Sequence, residues 1–221
     1  MKIFVINLDR AKDRWEHFKD LGEDKERFTR WSATDYNDLK EDTPIFKEMV
    51  SYWNIDPKEH KAKCACYLSH TNVYRYIVQN HLYDTIILED DAELVGEIPE
   101  DLPQDGFTYL GGFSSHLKLT EGPMKVEFEE GINKIKHNEY RMLCCLALYI
   151  PNPKVALKML QACENREKKK RPRAIDTMLR DALTLQYVYY PAPVIERKCE
   201  STIRKGSRNK YCNEFYEWKK K

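Results

Sequence analysis

At 221 residues the chain is long enough to bury a core without disulfides or metal staples, and too short for a second full domain. Lys plus Arg number 37 against 36 Asp plus Glu, a balance that argues against a general nucleic-acid binder. Seven cysteines, an odd number, fit a reducing compartment better than a disulfide framework.

The N-terminal apolar run Ile3 to Ile6 has the pattern of a strand covered on both faces and ends in Asn7-Leu8-Asp9-Arg10. It is too short for a signal peptide, and no other segment approaches a membrane span, so the chain reads as cytoplasmic. A helix with Trp15 and Phe18 inward follows. Residues 33 to 62 are polar, carry Pro44 and Pro57, and predict loops with one short helix near Phe46 to Trp53. From Cys64 to Leu82 the apolar positions Cys66/Tyr67, Val73/Tyr74, Ile77/Val78 and Leu82 recur at helical spacing.

Thr85 to Leu88 predicts a second buried strand, running directly into Glu89-Asp90-Asp91, and Phe107 to Leu110 a further strand that stops at Gly111-Gly112. Met142 to Ile150 is nine residues without a charge, closed by Pro151. Asn152 then reads as an N-cap with Pro153 at the first helical position, and Val155, Ala156, Met159, Leu160 and Cys163 form one face. A charged loop precedes a short helix from Ile175 to Leu183, and Gln186 to Tyr190 predicts a last strand. Alternating strands and helices predict one α/β domain over residues 1–221, with a mostly parallel sheet and helices on both faces. Its tail from about residue 197 holds nine basic and three acidic side chains. That tail reads as solvated, as a peripheral membrane contact, or as a phosphate contact through Arg204, Lys205 and Arg208.

Three adjacent carboxylates at the end of an apolar strand are the most informative feature. In open α/β sheets ligands bind at that end, and charges gathered there need a cation to offset their repulsion. All-oxygen ligands favour a hard ion such as Mn2+ or Mg2+. A solvated acidic turn would account for the same three residues. Ser69-His70 falls in the apolar stripe of its helix, where a satisfied core histidine is the plainer reading. Asp176 opens the late helix, as a stabiliser of its N-terminus or as a general base. Cys64-x-Cys66 and Cys144-Cys145 lack the spacing of a zinc knuckle.

Taken together, Phe4-Val5-Ile6-Asn7-Leu8-Asp9-Arg10 with Arg14, Cys66-Tyr67-Leu68-Ser69-His70, Ile87-Leu88-Glu89-Asp90-Asp91, the Leu146 to Ile150 strand with its Ala156 to Leu160 helix, Asp176, and Tyr189-Tyr190-Pro191-Ala192-Pro193 resemble glycosyltransferase family 25 over roughly residues 3 to 204. The resemblance implies a GT-A fold, a UDP-sugar donor, a divalent metal held by Asp91 with Glu89, and a glycan or glycoprotein acceptor, with inversion at the transferred sugar. Glu89 and Asp90 would face the donor, Asn7, Leu8 and Arg14 would lie along its nucleotide, and Ser69 with His70 would support its pocket. Arg204 would reach the diphosphate, and Asp176 would activate the acceptor hydroxyl. Two departures stand out: Glu196 occupies a position where the family more often has glutamine, and no histidine follows His137 to complete a metal shell. A catalytically silent sugar-nucleotide or glycan-binding domain and a divalent-metal phosphoesterase are the alternatives. The phosphoesterase would need further ligands at other strand ends.

Overall fold

The computed structural model describes residues 1–19, 27–44, 46–47, 57–113, 128–135, 143–164, 174–180 and 185–197. In chain order the elements are β1 (Lys2–Asn7), α1 (Lys12–Lys19), β2 (Phe28–Ser32), α2 (Pro57–Gln79), β3 (Thr85–Glu89), β4 (Ala92–Leu94), β5 (Gly106–Phe113), β6 (Gly131–Ile135), β7 (Leu143–Ile150), α3 (Pro153–Glu164), α4 (Ile175–Arg180), β8 (Leu185–Tyr190) and β9 (Val194–Glu196). Seven strands form one sheet in the order β2-β1-β3-β7-β5-β8-β6, and β4 pairs with β9 in a separate ribbon. β1, β2, β3, β5 and β8 run the same way while β7 and β6 run against them, so the sheet is mostly parallel with two reversed strands.

Side-chain alternation splits the core in two. Phe4, Ile87, Leu148, Ile150, Phe107 and Tyr109 pack with α2, α3 and α4 on one face. Ile3, Val5, Ile86, Leu88, Leu110 and Tyr149 pack with Phe18 of α1 and with Ala92 and Val194 of the ribbon on the other. Helices therefore flank both faces, as the alternating pattern predicts. No helix among the described residues is long and apolar enough to cross a membrane.

The start of α3 follows its local signals closely. Asn152 Oδ1 accepts the Val155 N–H at 3.0 Å, and all five residues of the predicted apolar face are buried. Two other boundaries differ from expectation. Helix α2 begins at Pro57, where proline sits without loss at the first helical position, so residues 57–62 are helix and not loop. Strand β5 runs through Gly111-Gly112 to Phe113. There the glycines serve the strand: Gly112 takes a positive φ of 78° at an irregular register, and a Cβ on Gly111 would stand 2.3 Å from the Val194 carbonyl oxygen. The ribbon can lean on β5 only because residue 111 has no side chain. The short helix expected near Phe46 to Trp53 falls mostly outside the described residues, as do the tail beyond Arg197 and with it Arg204, Lys205 and Arg208.

Candidate active site

From β1 the chain passes through α1 to β2 on one side, then crosses through α2 to β3 on the other side of β1. That reversal opens a crevice at the carboxyl ends of β1 and β3, the place where open α/β sheets bind ligands. The pairing sets Ile6 beside Glu89, so the two strands end together and deliver Asn7-Leu8 and Glu89-Asp90-Asp91 to one point. A cleft open to solvent lies there, with about 110 Å³ of enclosed space. Its walls include Leu8, Arg14, Ser69, His70, Glu89, Asp90 and Asp91 from the sequence prediction, together with Ala33, Thr34, Tyr36 and Cys66.

The three carboxylates have different environments. Asp90 turns inward: its Oδ1 accepts from Arg14 Nη1 at 2.6 Å and its Oδ2 from Asn7 Nδ2 at 2.9 Å. Asn7 is fully buried, also donates to the Ala11 carbonyl, and accepts from Arg30 Nε at 2.8 Å. It therefore stands behind the cleft wall and joins the ends of β1, β2 and β3. Arg14 lines the cleft but spends its guanidinium on Asp90, and both side chains are about nine-tenths buried. Glu89 is partly exposed, with Oε1 3.0 Å from His70 Nε2.

Asp91 is the residue without compensation. Its Oδ1 is buried and has no hydrogen-bond partner among the described residues. Burial first, then the charges of Glu89, Asp90 and Glu196, push its carboxyl up to about 8, and Arg14 only partly opposes them. An orphaned carboxylate oxygen among like charges is a donor that a hard divalent cation would complete. Glu196 reaches this cluster through the β4–β9 ribbon, where it pairs opposite Ala92, and the Arg197 N–H donates to the Asp91 carbonyl at 2.6 Å. Three-residue strands carry no periodic signal, so the sequence offers no means of bringing Glu196 to Asp91.

Ser69 and His70 are both buried and both reach the cleft. Ser69 Oγ donates to the Ala65 carbonyl and accepts the Thr34 N–H at 2.9 Å, tying the loop after β2 to α2. Tyr36 extends that loop, with the Arg10 guanidinium over its ring at 5.0 Å and Arg10 itself held by Asp35. An aromatic residue in a polar loop is the available signal for this wall. Asp176 is the second residue of α4 and does not line the cleft. Its Oδ1 accepts the Cys145 N–H of β7 at 2.9 Å, so its described bond goes to the sheet and not to its own helix. Burial first and then the Glu89 charge raise its pKa, and its bonds to Cys145 and the nearby His70 lower it.

The sequence matches the pattern of glycosyltransferase family 25, described as an LPS biosynthesis protein family, over residues 1–179. Of the described residues at the cleft and the acidic turn, Glu196 and Arg197 lie outside that span. A search of curated proteins finds no match. A large, mostly parallel sheet flanked by helices, with acidic residues at a strand end, agrees with a GT-A-like fold. The chain belongs to glycosyltransferase family 25.

Proposed function

We propose that the chain transfers a hexose, galactose or a close relative, from a UDP-sugar to a hydroxyl of a glycan or glycoprotein acceptor, with inversion and with Mn2+ or Mg2+. The observation that carries this reading is the buried Asp91 Oδ1, without a hydrogen-bond partner among the described residues and set among like charges, in a residue that lines an open cleft at the switch point of the sheet. Asp91 would hold the metal with Glu89, and Glu196, whose charge helps raise the Asp91 pKa, is the proposed additional carboxylate. When bound, the ion supplies charge stabilisation to a diphosphate leaving group.

The remaining roles fall to the chain's own residues. Leu8, Ala33, Thr34 and Tyr36 form a wall of small and aromatic side chains suited to a nucleobase. Arg14 and Asn7 hold Asp90, and through it the turn that presents Glu89 and Asp91. Asp176 is the proposed general base, and its raised pKa moves it toward neutrality, where a base works best. Arg204, Lys205 and Arg208 are proposed as contacts to the diphosphate. Truncation after Glu200 should then weaken UDP binding about tenfold or more, the scale of one lost charge-assisted bond.

Release of UDP, measured with each of several UDP-sugars in Mn2+ and in EDTA, tests the reading. Metal-dependent release with one sugar is expected. UDP binding without release from any of them, acceptor present, would instead favour a silent binding domain.

A further inference from the structure

Three side chains of different chemistry converge on the α2 side of the cleft. Cys66 and His70 lie four residues apart on α2, one turn of helix, so their side chains share a face. Glu89 approaches from the end of β3. His70 Nε2 stands 3.0 Å and Cys66 Sγ 4.0 Å from the same oxygen, Glu89 Oε1. All three donor atoms lie within 4.8 Å of one another. Ligands about 2.0 to 2.3 Å from a tetrahedral zinc ion are separated by about 3 to 4 Å, so small side-chain movements would close this set around one ion.

We propose that Cys66 Sγ, His70 Nε2 and Glu89 Oε1 form a binding site for a thiophilic divalent cation of the zinc class, separate in its chemistry from the all-oxygen position at Asp91. The second shell is in place. His70 Nδ1 faces the Tyr74 hydroxyl at 3.4 Å, so the ring can donate Nδ1–H to Tyr74 while Nε2 turns its lone pair to the metal. Burial keeps the Tyr74 hydroxyl protonated. All three ligands border the open cleft, which supplies an entry path and leaves the fourth position to water or to a bound ligand. Metal entry displaces the Cys66 thiol proton and any proton held between His70 and Glu89, so uptake releases protons and strengthens with pH.

The spacing that argues against zinc in the sequence, Cys64-x-Cys66, involves the wrong partner: Cys64 is buried and its thiol is pushed up to about 11. The pair that matters is Cys66 and His70, and the third ligand lies 19 residues beyond His70 on another element. An ion at this site claims Glu89. If Glu89 also faces the donor, as the family resemblance implies, zinc-class ions would antagonise UDP-sugar binding. That consequence rests on the functional reading, whereas the binding site itself does not.

The test is a Co2+ titration of the reduced full-length chain, followed by optical absorption. One equivalent should bind with a thiolate-to-cobalt charge-transfer band, and Zn2+ should displace it. Cys66→Ser should abolish the band and lower Co2+ affinity about 100-fold or more, since loss even of an outer-shell partner costs 10- to 100-fold. Asp91→Asn should retain the band. A wild-type chain without the band, or a band that persists in Cys66→Ser and so belongs to another cysteine, would overturn the site. Should Cys66→Ser fail to fold, Glu89→Gln takes its place: a weakened titration of the charge-transfer band supports the site, and an unchanged one refutes it. Zn2+ binding that leaves UDP affinity untouched would keep the site and remove Glu89 from the donor.

Discussion

Asp90 and Asp91 are adjacent in the chain and opposite in circumstance. Asp90 faces inward, where Arg14 and Asn7 satisfy both of its oxygens; Asp91 keeps a buried oxygen without a partner among the described residues and a carboxyl raised to about 8. A compensated charge holds a fold together, whereas an uncompensated one costs stability and persists where a ligand makes use of it. On the proposed function, the first belongs to the scaffold and the second to the site.

The largest effect expected from that division is on the scaffold side. Arg14→Ala leaves Asp90 buried and unpaired, which should cost about 3 to 5 kcal/mol in urea denaturation. A loss below about 1 kcal/mol would mean that Asp90 is solvated and that the contrast with Asp91 fails. Asp91→Asn should behave in the opposite sense. Removing a carboxyl that burial and the charges of Glu89, Asp90 and Glu196 already disfavour should leave the metal-free protein at least as stable, while turnover falls about 100-fold or more. A thermal melt and a UDP-release assay on the same variant measure both halves.

Asp176 extends the contrast to the far side of Glu89. Asp176→Asn keeps an acceptor for the Cys145 N–H, so stability should change by about 1 kcal/mol or less. Single-turnover transfer should drop about 100-fold with calorimetric UDP-sugar affinity unchanged, because a base acts only in the transition state. Transfer near the wild-type rate would return Asp176 to a structural role. A more indirect effect is expected at Gly111, where Gly111→Ala drives a methyl group against Val194 and displaces β9, at a cost of about 1 to 3 kcal/mol. Since β9 carries Glu196, metal affinity should weaken while the Arg14–Asp90 pair is spared. Unaltered metal affinity would remove Glu196 from the site.

What can be read from the sequence follows the range of the interactions. The α3 boundary is legible because Asn152, Pro153 and the buried face act within a few residues of one another. The strand under Glu89-Asp90-Asp91 is legible from its apolar run, and so is the cleft at its end. Which of the three carboxylates is neutralised is not, because the partners of Asp90 lie 76 and 83 residues away. Gly111-Gly112 reads as a stop because glycine usually punctuates strands, while here a close approach by Val194 requires it. Glu196 stands out in the sequence only as an oddity of position, and its approach to Asp91 depends on a three-residue ribbon without a pattern of its own.

Calorimetric titration with UDP, in Mn2+ and in EDTA, of the wild type, Asp91→Asn and Asp176→Asn most directly tests whether the uncompensated side of the acidic turn is the donor and metal site. Tight binding is expected only with metal in the wild type and in Asp176→Asn, and weak binding under both conditions in Asp91→Asn. Equal UDP affinity in EDTA, or wild-type affinity in Asp91→Asn, would contradict that assignment.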